Sequence, residues 1–286
     1  MLNFGQLESP ALLANMVSDC SSPFRFFVSV RYVFPLGLLC LLAVLSVRPA
    51  AAQEPTPTQV VVRAVSNDAK LIQDPVGGAH ITIENAETGA VLAEGRQTGD
   101  SGSTEAIMHQ PHERGATIYD APGAAKYDTT LALTEPTRVR ITAKGPLDYP
   151  QAMQTASKTI LLLPGEDVTG DGITLTLHGF IVEVLSPSPS DLSPGDEVPV
   201  RARIRMMCGC PTEPGGLWDA SRYDIQAQLL RNGTVVAERP LSFTGTTSEY
   251  AGSVSVPSGG ATTVRVTASD PARGNVGTAT APLNSN

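Results

Sequence analysis

The chain has 286 residues and a formal net charge of −8, with 26 Gly, 23 Pro and only 5% aromatic residues. The acidic balance argues against a general nucleic-acid binder, which needs a basic surface. An apolar share of 41% is enough for folded cores and argues against wholesale disorder. The length allows two domains of ordinary size. Abundant Gly, Pro, Thr and Val suit short strands joined by turns, not helical bundles.

Arg25 and Arg31 precede an apolar run, Val33 to Val47. It is too short for a comfortable membrane span. Small residues at Ala50 and Ala52 then supply the A-x-A pattern of a signal-peptidase site. Residues 1–52 are therefore expected to be a cleaved signal peptide with an N-terminal extension, Met16 being a second candidate start. The protein is expected in the periplasm or outside the cell. Leu39 before Cys40 does not fit a lipid-anchored cysteine. Cleavage removes Cys20 and Cys40, so that Cys208 and Cys210 alone enter an oxidising compartment. No later apolar stretch is long enough to span a bilayer. Nucleotide-binding glycine motifs and G-x-S-x-G are absent, and the carboxylates cannot be paired from sequence, so no enzyme is expected.

From Gln59 onward, β-rich runs alternate with turn residues: Gln59–Val65, Ala79–Glu84, Thr129–Leu133, Thr137–Ala143 and Lys158–Leu163. This spacing predicts an all-β chain of two tandem β-sandwiches, over 53–178 and 179–286. In the first, Val60-Val61-Val62-Arg63-Ala64-Val65 is followed by Pro75-Val76-Gly77-Gly78 and His80-Ile81-Thr82-Ile83. The turns Glu87-Thr88-Gly89, Thr98-Gly99-Asp100-Ser101-Gly102 and Lys144-Gly145-Pro146 come next, and Leu163-Pro164-Gly165-Glu166 joins the closing strands. This order resembles the carboxypeptidase-regulatory-like, or prealbumin-like, β-sandwich, whose members are mostly non-catalytic spacers or binding domains. An insertion from about Met108 to Asp128 departs from that pattern.

In the second half, strands are predicted at Phe180–Leu185, Val198–Cys208, Asp224–Arg231, Thr234–Arg239, Tyr250–Val256, Thr262–Ala268 and Val276–Ala281, seven in all. Ser186-Pro187-Ser188-Pro189-Ser190 reads as a stiff turn, and Asn232-Gly233 is a strong hairpin signal. The ending Ala268-Ser269-Asp270 with Gly274-Asn275-Val276-Gly277 resembles the last hairpin of bacterial immunoglobulin-like domains, which are extracellular binding and spacer modules. The two resemblances imply a non-enzymatic envelope module whose partner is a protein or a glycan.

The densest chemistry lies in Met206-Met207-Cys208-Gly209-Cys210-Pro211. Thiolates and thioethers are soft donors that favour Cu(I) and also hold Zn(II). A periplasmic copper carrier using Cys208 and Cys210, with Met206 or Met207, is thus the alternative function. Cysteines two apart on a strand have Cβ atoms roughly 7 Å apart, whereas a disulfide needs about 3.8 Å. A Cys208–Cys210 disulfide therefore requires the strand to break, and Gly209 and Pro211 permit that. Disulfide, metal site and buried thiols are all open on sequence alone. Thiol–disulfide catalysis is a further possibility, although the C-x-x-C of thioredoxin-like proteins is absent. Met206 is expected to face the core, and Met207 to be the freer of the two.

Trp218 and Tyr223 follow in a Gly-rich segment, which reads either as a binding loop or as a cap on the core. His109 and His112 have the spacing of an imidazole pair for Cu(II) or Zn(II), or belong to a solvated loop. Asp167-Val168-Thr169-Gly170-Asp171-Gly172 begins like a calcium loop but lacks acids at the third and twelfth positions, and so reads as a turn. Arg201, Arg203 and Arg205 form a stripe expected to pair with acids on neighbouring strands, such as Asp224 or Glu238.

Overall fold

The computed structural model describes residues 53–187 and 192–283. The expected signal peptide and the centre of the Ser-Pro turn lie outside these residues. The described chain is all-β, in two tandem sandwiches built from four sheets. Among the described residues no helix is long and apolar enough to cross a membrane.

The first sandwich comprises β1 (Thr56–Ser66), β2 (Ala79–Asn85), β3 (Val91–Gln97), β4 (Tyr127–Leu133), β5 (Thr137–Gly145), β6 (Gln154–Leu162) and β7 (Val168–Leu177). Its sheets have the orders β4-β1-β7 and β3-β2-β5-β6. All pairings are antiparallel except that β1 runs parallel to β7. Alternation sends Val60, Val62 and Ala64 inward to meet Ile81, Ile83, Val139 and Ile141 from the facing sheet. The opposite parity of β1 is buried as well: Val61, Arg63 and Val65 are covered. A strand buried on both faces needs a second layer. The long β3–β4 connection helps supply it, placing Ala124 and Ala125 over Val65 and Leu71.

The second sandwich comprises β8 (Phe180–Ser186), β9 (Glu197–Met206), β10 (Asp224–Arg231), β11 (Thr234–Pro240), β12 (Ser242–Phe243), β13 (Glu249–Ser255), β14 (Thr263–Asp270) and β15 (Asn275–Pro282). The predicted seven strands are joined by an eighth, the two-residue β12. The sheet orders are β12-β13-β9-β8 and β11-β10-β14-β15. They reproduce the ABED and C′CFG sheets of an immunoglobulin sandwich, without its inter-sheet disulfide. Asn232 and Gly233 both have positive φ, at 51° and 79°, and close the β10–β11 hairpin with Arg231 opposite Thr234.

Only His178 and Gly179 separate β7 from β8. The described residues from Gln53 onward form one compact unit.

Candidate functional site

The predicted strand Val198–Cys208 ends two residues early, at Met206. The chain turns there because Gly209 takes φ +81°, a conformation that costs glycine little. The Gly209 amide donates to the Met206 carbonyl at 2.8 Å, and the Met206 amide donates to the Cys210 carbonyl at 3.0 Å. The turn brings the Cys208 and Cys210 Cα atoms to 5.4 Å, and a disulfide joins them. Both cysteines are buried in the core of the second sandwich.

This turn faces the first sandwich. The Gln73 side-chain amide donates to the Cys208 carbonyl at 2.8 Å. A Cβ added at Gly209 would lie 2.7 Å from Val76 Cγ1, so the glycine backbone sits directly against that side chain. Met206 and Met207 point opposite ways, as strand parity requires. Met206 joins the second core, where the Tyr223 hydroxyl donates to its sulfur at 3.8 Å. Met207 joins the core of the first sandwich and is fully buried. It is therefore not the freer residue that the sequence suggested. The first sandwich receives it because the two-residue linker holds the domains in contact.

The segment after the disulfide continues the junction. Trp218 is 7% exposed and belongs to the second core. Its indole N–H donates to the Asp68 carbonyl, in the first sandwich, at 3.0 Å. Asp219 fixes the loop by accepting from the Gly215 amide at 2.8 Å and from the Ser221 amide and hydroxyl at 3.0 and 2.7 Å. These bonds, the Gly215 amide foremost, hold its carboxyl down at about 2. Tyr223 packs on Phe180, ring centroids 4.9 Å apart. Burial pushes its phenol well above the ordinary range, so it stays a donor. Trp218 and Tyr223 thus pack on the second core, and the Trp218 indole also ties it to the first sandwich.

Further residues from both sandwiches complete the contact. Arg273 pairs with Asp68, whose carboxyl burial raises against the pull of that arginine. The Asn67 side chain donates to the Arg273 carbonyl at 2.8 Å, and Asn275 accepts from the Gly179 amide at 3.0 Å. Arg205 donates to the Tyr149 hydroxyl at 2.7 Å while its guanidinium lies 5.0 Å from that ring's centroid. Gln151 donates to the Val182 carbonyl at 3.2 Å.

His109 and His112 lie at the start of the β3–β4 insertion, His109 closing the single π-turn Glu105–His109. The His112 ring contacts the Ala106 and Ile107 carbonyls at 3.2 and 3.1 Å. Among the described residues, no three His, Cys, Asp or Glu side chains come together as a metal-ligand group. The insertion is anchored from below. Asp171 accepts from the Ile118 and Tyr119 amides at 2.9 and 2.6 Å, which explains the half-formed calcium pattern as a structural turn. Arg63, fully buried, donates to Asp120, to the Ala125 carbonyl at 2.8 Å and to the Gly170 carbonyl at 3.2 Å. Beside this anchor lies an open cleft of roughly 730 Å³ lined by Arg96, Thr98, Asp120, Lys126, Tyr127 and Asp128.

The arginine stripe is paired, though not with the acids expected. Arg201 and Arg203 both reach Glu249 on β13, at 2.6 and 3.2 Å, and Arg205 reaches Glu183 on β8 at 2.9 Å. The sheet order explains this: β9 lies between β8 and β13, whereas Asp224 and Glu238 belong to the other sheet.

No family model matches the chain, and no curated protein matches it. Among solved structures it is similar to a chain of the crystal structure of Dpr2 Ig1-Ig2 in complex with DIP-Theta Ig1-Ig3. The two are 10% identical over 80% of this chain and 98% of that one, with a TM-score of 0.26.

Proposed function

We propose that the chain is an exported, non-enzymatic binding or structural module of the bacterial cell envelope. Its two sandwiches, fixed relative to one another, recognise or position a protein or glycan partner. One observation carries this reading. The chemically richest segment, Met206 to Tyr223, is built into the junction between the domains: its disulfide, Met207 and its tryptophan are buried there. A two-residue linker and buried side chains are what a fixed pair of domains needs, and domains otherwise move by default.

The finer assignments belong to the same reading. The second sandwich is taken as a bacterial immunoglobulin-like domain on its strand order. The first is taken as prealbumin-like, supported by a wiring distinct from the second, in which the first and last strands pair in parallel. Export rests on the A-x-A site before Gln53.

The test is chemical cross-linking on envelopes of producing cells, comparing the wild type with Asp68→Ala/Arg273→Ala. The reading expects a cross-linked adduct with the wild type that is lost when the junction is loosened but both domains remain folded. N-terminal sequencing of the exported protein should begin at Gln53. Copper carriage is the competing function, and it requires the disulfide to open and either Met206 or Met207 to leave the core that buries it. Copper in the native mass of the wild type, lost in Cys208→Ser/Cys210→Ser, would replace the module reading.

A further inference from the structure

The Cys208–Cys210 disulfide stands where the two sandwiches meet, and among the described residues it is the one reducible bond. An extended strand would separate these Cα atoms by roughly 6.7 Å, whereas here they are 5.4 Å apart. The bond therefore holds a turn that strand geometry would not. That turn does two things for the neighbouring domain. It aims the Cys208 carbonyl at the Gln73 side chain, and it presses Gly209 against Val76. Both contacts fall on the short 3-10 turn Asp74–Val76 and the residue before it. The rest of the junction is made of hydrogen bonds, ion pairs and apolar packing, which a reductant leaves unchanged.

We propose that this disulfide is a redox latch on the domain junction. Oxidised, it holds the 206–211 turn in the shape that docks on Gln73 and Val76. A dithiol reductant opens it by exchange: a thiolate of the dithiol attacks one sulfur, the second thiol resolves the mixed disulfide, and two electrons and two protons pass to Cys208 and Cys210. The dithiol leaves as its own disulfide. With two free thiols, the Gly209 turn regains conformational freedom and its grip on the first domain weakens. The latch is guarded, because both cysteines are buried, so the junction must open before the reductant reaches it.

This inference rests on the fixed-domain reading above. Its test is hydrogen–deuterium exchange on the protein as produced from its full reading frame, with dithiothreitol and without, alkylation and mass spectrometry reporting the thiol state. In the reduced protein, exchange in segments 73–78 and 206–211 should rise by about tenfold or more, while β1 and β14 stay protected. Cys208→Ala/Cys210→Ala should show the same local loosening without reductant, and Gln73→Ala should loosen the oxidised protein. Unchanged exchange at 73–78 once both thiols are alkylatable would overturn the latch and leave the fixed pair standing. So would reduction that occurs only with global unfolding. Fast exchange across the junction of the oxidised wild type would instead overturn the fixed pair.

Discussion

The indole N–H of Trp218 donates to the backbone carbonyl of Asp68 at 3.0 Å, joining the second sandwich to the first. Asp68 holds positive φ, at 55°, and its carboxylate pairs with Arg273 from the β14–β15 connection. Main chain and side chain of one residue are thus gripped from two elements of the other domain.

Trp218→Phe keeps the ring but leaves that carbonyl without its partner. That bond is part-buried, so its loss should cost about 0.5–1.5 kcal/mol. Trp218→Ala also opens a cavity and should cost about 3–5 kcal/mol. Urea unfolding followed by circular dichroism orders the two variants. A Trp218→Phe variant as stable as the wild type would mean that the indole nitrogen contributes nothing.

Met207 tests the junction from the opposite side. Met207→Ala removes a side chain of the second domain from the core of the first, and is expected to cost about 2–5 kcal/mol. It should also split one cooperative transition into two, because it weakens the coupling between domains. Met206→Ala should cost a similar amount while unfolding stays a single transition. Scanning calorimetry separates these outcomes.

Much of the sandwich architecture was legible in the sequence. Alternation located Asp224–Arg231 to the residue, and Asn232-Gly233 marked its hairpin. Edge strand β3, Val91–Gln97, was missed because its apolar residues Val91 and Leu92 face solvent and its Gly95 breaks the pattern. The junction was half legible. Parity placed Met206 and both cysteines on one face and Met207 on the other, but parity does not say that a second domain covers that other face. Gln73, Asp68 and Arg273 act across long sequence separations and have no local signature. Arg63 did leave a trace, as one cation within an apolar run of both parities.

Arg63 should prove essential to the insertion. Arg63→Met leaves the Ala125 and Gly170 carbonyls unpaired and frees Asp120, an expected loss of about 2 kcal/mol or more. Arg63→Lys should not restore it, because a single ammonium cannot reproduce the guanidinium fork. Hydrogen exchange should rise across residues 115–126. Full recovery by lysine would contradict this role.

Asp219 makes the loop acid-sensitive. Its folded carboxyl lies at about 2, below the ordinary 3.8, chiefly through the Gly215 amide and the bonds from Ser221. A carboxyl lowered by folding stabilises above its ordinary value and loses that contribution as pH falls toward the folded value. Trp218 emission should therefore shift between pH 4 and 2, the range set by those two values. Asp219→Asn should abolish this transition. A wild-type emission that stays flat over that range would contradict the assignment.

The role proposed for Met206 to Tyr223 is to fasten the two sandwiches into one rigid body. Residual dipolar couplings of the backbone amides test it most directly. Couplings from residues 56–177 and from 180–187 with 192–283 are expected to fit a single alignment tensor on the structure. Two tensors of different magnitude or orientation would show that the domains move independently, and would contradict it.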